Sequence, residues 1–144
     1  MQRFESGEGE RHEARGSEMW FKATHATTNG RFSLMERTLP PGGRMPPAHR
    51  HSGNEEAYFV LDGVVEFRVA GEVFEGTSGT FVLVPSGEDH TFGNTSAEPA
   101  RLLVLHAPAL DRYFAELEQL WAGSQPPERE EELDLMRRHG MEPA

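Results

Sequence analysis

Apolar residues change their spacing along this chain. From Met19 to His106 they come in short runs cut by Gly, Pro, Asn and Asp, which is how strands separated by turns read. Met19–Ala23 and Phe32–Leu39 are predicted strands, and Asn29-Gly30 between them suits a turn. Pro40-Pro41-Gly42-Gly43 then breaks the chain. Asp62-Gly63 is predicted to join Tyr58–Leu61 to Val64–Val69 as a tight hairpin, and Ala70-Gly71 to join that strand to Glu72–Phe74. Phe81–Val84, Thr91–Asn94 and Arg101–His106 complete the strands. Beyond Pro108 the period becomes helical. Leu110, Tyr113, Phe114, Leu117, Leu120 and Trp121 fall on one stripe, expected to pack on the strands. After Gly123 and Pro126-Pro127, Glu128–His139 reads as a second helix, with glutamates in its first turn, Arg137 and Arg138 in its last, and Gly140 as C-cap. Many short strands with no helices between them predict an all-β antiparallel sandwich or barrel with C-terminal helices.

This divides the chain into a polar N-terminal segment (1–17), a strand domain (18–108) and a helical extension (109–144). The first segment is charged and Gly-rich, and is expected to be loosely ordered or draped over a neighbour. A length of 144 residues suits one domain with a real core. Hydrophobic content is only 36%, but it is concentrated in the middle. A formal net charge of −10 leaves no basic surface for phosphate neutralisation, so no nucleic-acid partner is expected, and it disfavours anionic membranes. There is no cysteine, hence no disulfide and no competing thiolate. Met1-Gln2-Arg3-Phe4-Glu5 lacks the apolar core of a signal peptide, and no stretch reaches transmembrane length. A cytoplasmic location is the expectation.

The chemistry concentrates on His49, His51, Glu56 and His90. Side chains alternate along a strand, so His49 and His51 share a face. Glu56 has the parity of Tyr58 and Val60; His90 has that of Phe92 and Asn94. If those faces look into one interior, three imidazoles and a carboxylate converge among apolar neighbours. There a buried polar cluster needs an ion to offset its desolvation. The donor set suits one divalent transition metal: Fe, Ni, Co, Mn, Zn or Cu. Met45, Tyr58, Val60, Phe67 and Phe92 are the expected pocket lining. No arginine except Arg44, Arg50 and Arg68 lies near the ligand runs, and Arg50 alternates away from them. An apolar pocket of that kind suits an aromatic or polyketide-like compound better than a sugar phosphate. His12 is expected to be solvated, His25 lies in a polar stretch, His106 ends a strand rather than serving as a fifth ligand, and His139 sits near a helix C-terminus.

The runs GRMPPAHRHSGNEEAYFVLDG (43–63) and GTFVLVPSGEDHTFGN (79–94) resemble the two signature motifs of the cupin superfamily. The resemblance covers residues 30–108. It implies a jelly-roll barrel and a divalent metal held by His49, His51, Glu56 and His90, with Glu56 rather than Glu55 as the acidic ligand. PPGGRMPPAHRH and the helix following LLVLHAPALDRYF make the chain similar to small single-domain cupins of the flavonol (quercetin) dioxygenase-like kind. That narrower likeness implies Glu56 as base for a substrate hydroxyl, attack of dioxygen on the resulting enolate, and ring opening. The leaning is therefore toward a metal-dependent dioxygenase acting on an aromatic or enolisable small molecule. The alternatives are a redox-neutral cyclase, isomerase or lyase and a non-catalytic small-molecule-binding cupin. The resemblance also implies a homodimer, formed through an edge strand or an exchanged terminal segment.

Overall fold

The computed structural model describes residues 1–144. Eleven strands form two antiparallel sheets. The first contains, in spatial order, β1 (Glu10–Ala14), β2 (Ser17–Ala23), β3 (Ser33–Leu39), β10 (Ala100–Ala107), β5 (Glu55–Asp62) and β8 (Phe81–Val84). The second contains β11 (Met141–Pro143), β4 (His49–His51), β9 (His90–Gly93), β6 (Val65–Val69) and β7 (Glu72–Gly76). The class is all-β, in the jelly-roll arrangement, with α2 (Asp111–Trp121) and α3 (Arg129–Arg138) behind it. No helix is long and apolar enough to cross a membrane.

Alternation builds the interior. On β10, Ala100, Leu102, Val104 and His106 are buried and the residues between them only half-buried. On β5 the inward set is Glu56, Tyr58 and Val60. These side chains meet Met19, Phe21, Met35 and Phe67 in one core. Tyr58 sits at its centre, with ring centroids 5.2 Å from Phe67 and 4.9 Å from Phe92. Burying such aromatic side chains stabilises by about 2–3 kcal/mol each.

The structure corrects four local expectations. Asp62-Gly63 is not a hairpin, because β5 and β6 lie in different sheets. It is the corner where the chain changes sheet. Gly63 has φ +77, and a Cβ there would meet the Pro99 carbonyl oxygen at 2.5 Å, so the corner admits only glycine. Residues 6–17 are not loose either. β1 pairs with β2 along its whole length, and Ser6 and Gly7 are bonded to Glu36. His12 is not simply solvated: its ring packs edge-on to Phe21, and its Nδ1 lies 3.0 Å from Glu118 of α2. The link around Asn29-Gly30 is longer than a bare turn. It includes a helical turn, α1 (His25–Thr28), closed by Asn29 in the left-handed region.

Ala70-Gly71 does make the expected hairpin. Both residues have positive φ, 50° and 83°, as a two-residue turn matched to strand twist requires, and Val69 faces Glu72 across it. The helical stripe also packs as expected, with Tyr113, Phe114 and Leu117 buried on the barrel. α3 carries a Glu128/Glu131 capping box, acids in its first turn and Arg137 and Arg138 in its last. The strand after it, β11, pairs Met141 with His51 and Pro143 with His49. The end of the helical extension thus fixes the strand that carries two of the candidate ligands.

Candidate metal centre

Three strands and one register bring the four residues together. β4 presents His49 and His51 on one face, both buried. β9 pairs with β4 through His49 and His90. β5, in the facing sheet, supplies Glu56. One donor atom from each of His49, His51, Glu56 and His90 lies within 4.8 Å of the others. Glu56 Oε2 is 2.8 Å from His51 Nε2 and 2.8 Å from His90 Nε2.

Backbone contacts orient two of the rings. His49 Nδ1 donates to the Pro47 carbonyl at 2.8 Å and His90 Nδ1 to the Glu88 carbonyl at 2.9 Å. That leaves each Nε2 facing the cluster, the orientation a ligating imidazole takes when its other nitrogen donates to a carbonyl. Desolvation, followed by the charge of His90, lowers His49 to about 3, so its imidazole is neutral and its lone pair free. Burial opposes ionisation of Glu56. The interaction with His106 and hydrogen bonds from His106, His51 and His90 outweigh it and hold the carboxyl well below its usual range. At His90 desolvation is likewise overcome, by the hydrogen bond and charge of Glu56, and the pKa is raised. A cation among these donors would replace the contacts they make with one another. The donor set fits a divalent transition metal, which when bound supplies Lewis acidity and an acidified water.

His106 belongs to this cluster rather than to a strand end alone. It is 2% exposed, its Nε2 is 3.2 Å from Glu56 Oε1, and its Nδ1 is buried without a partner. It takes the carboxylate oxygen that the other histidines leave. The signal was present in the alternation of Leu102, Val104 and His106, which gives His106 inward parity on β10.

The cavity beside the cluster is small, about 20 Å³, enough for one water-sized ligand. Of the expected pocket residues only Phe92 lines it. Tyr58, Val60 and Phe67 are fully buried in the core beneath, because inward parity on a filled barrel means packing. Met45 lies on an outer groove instead. Tyr58 keeps one functional trait: its hydroxyl is buried without a hydrogen-bond partner, and burial together with the Glu56 charge raises its pKa well above the phenol range. The remaining walls were not read from the motifs. Leu110, Tyr113 and Phe114 close the cavity from the α2 side, and Met141 comes from β11.

Arg15 and Arg37 also line it, and neither is among Arg44, Arg50 and Arg68, the arginines read near the ligand runs. Arg37 lies on β3 with inward parity, opposite Leu102 of β10. Arg15 occupies the β1–β2 turn at φ 55. Both precede the signature runs in sequence, so inspection of those runs missed them.

The cupin-domain family model matches residues 35–106, half of the chain. Quercetin 2,3-dioxygenase of Bacillus subtilis (strain 168) is 36% identical over 93 residues, 60% of this chain and 26% of that protein. The HTH-type transcriptional regulator PuuR of Escherichia coli (strain K12) is 29% identical over 80 residues, 56% of this chain and 43% of that one. The chain therefore spans less than half the length of either relative. Among solved structures, the polyketide cyclase RemF of Streptomyces resistomycificus superposes with a TM-score of 0.64 at 24% identity, covering 74% of this chain and 79% of that one. Two antiparallel sheets, both signature runs and the convergence of their histidines and glutamate agree with the family match, and the chain belongs to the cupin family.

Proposed function

We propose that this chain is a metal-dependent cupin enzyme, a dioxygenase acting on an aromatic or enolisable small molecule, with His49, His51, Glu56 and His90 as metal ligands and Glu56 as the base for a substrate hydroxyl. The observation that carries this reading is the buried cluster of three imidazoles around one carboxylate, sealed by Phe92, Leu110, Tyr113 and Phe114. Sealing strengthens electrostatic interactions and keeps water from a reactive intermediate. The likeness to part of quercetin 2,3-dioxygenase supports the same reaction class. Cavity size narrows the substrate. A ligand as large as a flavonol needs α2 to move away from the cluster, whereas a small diketone needs much less. Metal analysis of protein purified from its native host, followed by an oxygen-uptake screen over flavonols, catechols and diketones, tests the reading. Stoichiometric metal with oxygen consumption on at least one substrate is expected; folded protein that never retains metal overturns it.

A redox-neutral reaction, such as cyclisation, isomerisation or elimination, is the second reading. It is favoured by the placement of Glu56 and Arg37 on one cavity, since a base beside a cation is sufficient for enolisation without electron transfer. Turnover without oxygen consumption separates the two. A homodimer is also proposed, through the outer face of the first sheet. There Phe59, Phe81 and Leu83 are exposed beside Leu34, Leu103 and Leu105, and β8 leaves its sheet edge open. Light scattering is expected to give twice the chain mass, and Leu83→Glu to return the monomer.

A further inference from the structure

We propose that the cavity beside the histidine–glutamate cluster is an anion site, in which Arg37, with Arg15 next to it, holds a carboxylate, phenolate or enolate oxygen of the substrate. This deepens the reading above by naming the charge of the substrate, and rests on it only for the metal that would share that oxygen.

The argument is one of charge balance in a dry interior. Arg37 is 3% exposed and makes no ion pair. Its Nε donates to Ser17 Oγ at 2.8 Å, and its guanidinium carbon lies 5.2 Å from the centre of the Phe92 ring. A hydroxyl and a ring face are weak compensation for a buried charge. Burial, then repulsion from Arg15, lowers Arg37 to about 10, so it remains a cation at neutral pH. Arg15 has a side chain 3% exposed and is paired with Glu132 of α3, yet its Nε is buried without a partner. The one carboxylate lining the cavity, Glu56, is already held by three histidines. A divalent cation in that cluster would add further positive charge, and an anionic ligand offsets the excess. The guanidinium fork suits a carboxylate or a paired oxygen acid better than a neutral carbonyl.

The approach to the cavity carries the same sign. Arg15 and Pro46 also line an outer groove of about 490 Å³, where Arg44, Arg129 and Arg68, the last paired with Glu66, gather beside Glu132. On a chain of net charge −10, that local reversal steers anions inward. Arg15 stands between groove and cavity, so an anion entering from the groove meets it first.

Calorimetric titration of the full chain, metal-loaded and chelator-treated, with three acids and their amides tests this: acetate against acetamide, benzoate against benzamide, salicylate against salicylamide. At least one acid is expected to bind 10-fold or more tightly than its amide. Arg37→Gln should remove most of that preference with metal content unchanged, and Arg37→Lys should restore part of it. The proposal is overturned if no acid outcompetes its amide. It is equally overturned if the preference appears only with metal and survives Arg37→Gln, because it then belongs to the metal. Should Arg37→Gln fail to fold, Arg15→Gln and the acid–amide comparison on metal-free wild type decide the matter by the same criteria. An acid preference in protein that retains no metal keeps the anion site and removes the metal reading; metal retained without any acid preference does the reverse.

Discussion

Glu36 and Arg37 are adjacent on β3, both 3% exposed, and they face opposite sides of the sheet. Glu36 looks outward, under the N-terminal segment. One of its oxygens accepts from the Gly7 amide at 2.8 Å and pairs with Lys22 at 2.9 Å; the other accepts from Ser6 Oγ at 2.9 Å and pairs with Arg101 at 3.2 Å. Arg37 looks inward, toward the cavity it shares with the histidine–glutamate cluster, and has a hydroxyl and a ring where Glu36 has two cations and two further donors. The outer network is complete and holds the chain together. The inner side, around Arg37, retains buried polar atoms without partners on Arg15, Tyr58, His51 and His106. A native interior keeps few such atoms, and each calls for a reason. Here the reason proposed is that these groups serve a bound cation and an anionic substrate.

The harshest way to break this comparison is to neutralise the inner carboxylate. Glu56→Gln keeps the shape but removes the charge that His51, His90 and His106 surround. Metal affinity is expected to fall at least about 100-fold, beyond the cost of losing a residue that only hydrogen-bonds to a ligand, while the N-terminal network stays intact. Competition with a fluorescent chelator reads the affinity, and proteolysis near Gly7 reads the network. Unchanged affinity would mean that Glu56 is not a ligand.

His106→Gln is the next largest. It removes the partner of Glu56 Oε1 without touching the four candidate ligands. A loss of about 10–100-fold in metal affinity is expected, with the ligand-field spectrum of the cobalt-substituted protein shifted but still that of the same donors. A spectrum showing one fewer nitrogen donor would instead make His106 a ligand.

What could be read from sequence divides along the same line. His49, His51, Glu56 and His90 were legible because strand parity and the spacing of Gly43, Gly63, Pro85 and Gly87 place them on strands by local rules alone. His106 was half legible: its parity was visible, but nothing local says that β10 runs beside β5 so as to face it to Glu56. Arg15 and Arg37 were not legible as site residues. Their role depends on long-range pairing of β1, β2 and β3 with β10, and an arginine on a strand reads as exposed. The Asp62-Gly63 corner misled because Asp-Gly is a hairpin signal, and only the neighbouring Pro99 carbonyl reveals a change of sheet. β11 is three residues long and contains proline, too little for a periodic signal, although it braces β4.

Glu36→Gln breaks the outer side. Four donors lose a charged acceptor, and a destabilisation of about 1–3 kcal/mol is expected, with residues 1–9 released to protease and metal content unchanged. The pH dependence carries a definite sign. Burial would raise the Glu36 carboxyl, but the Gly7 amide, Lys22, Ser6 and Arg101 outweigh it and lower it from 4.5 to about 2. Its contribution is therefore fully present above the unfolded carboxylate range and lost as pH falls from there through about 2. Melting curves of metal-free wild type and Glu36→Gln should converge across that interval. Curves that stay parallel down to pH 2 would show that the cluster does not stabilise through ionised Glu36.

The smallest effect lies farther along the same N-terminal segment. His12 on β1 meets Glu118 of α2 at 3.0 Å, and Glu118 also accepts the Glu13 amide at 2.7 Å. Hydrogen bonds from His12, then from the Glu13 amide, lower the Glu118 carboxyl, yet the pair lies at the surface, where screening leaves such contacts worth about 0–1 kcal/mol. His12→Ala should therefore change the melting temperature by no more than a few degrees, through lost packing on Phe21 as much as lost charge. Its value is as a control on the hairpin that carries Arg15. If β1 is held chiefly by its ladder to β2, the acid-over-amide preference survives His12→Ala unaltered. If the preference falls with it, the α2 contact sets the position of Arg15, and the outer edge of the sheet is part of the anion site.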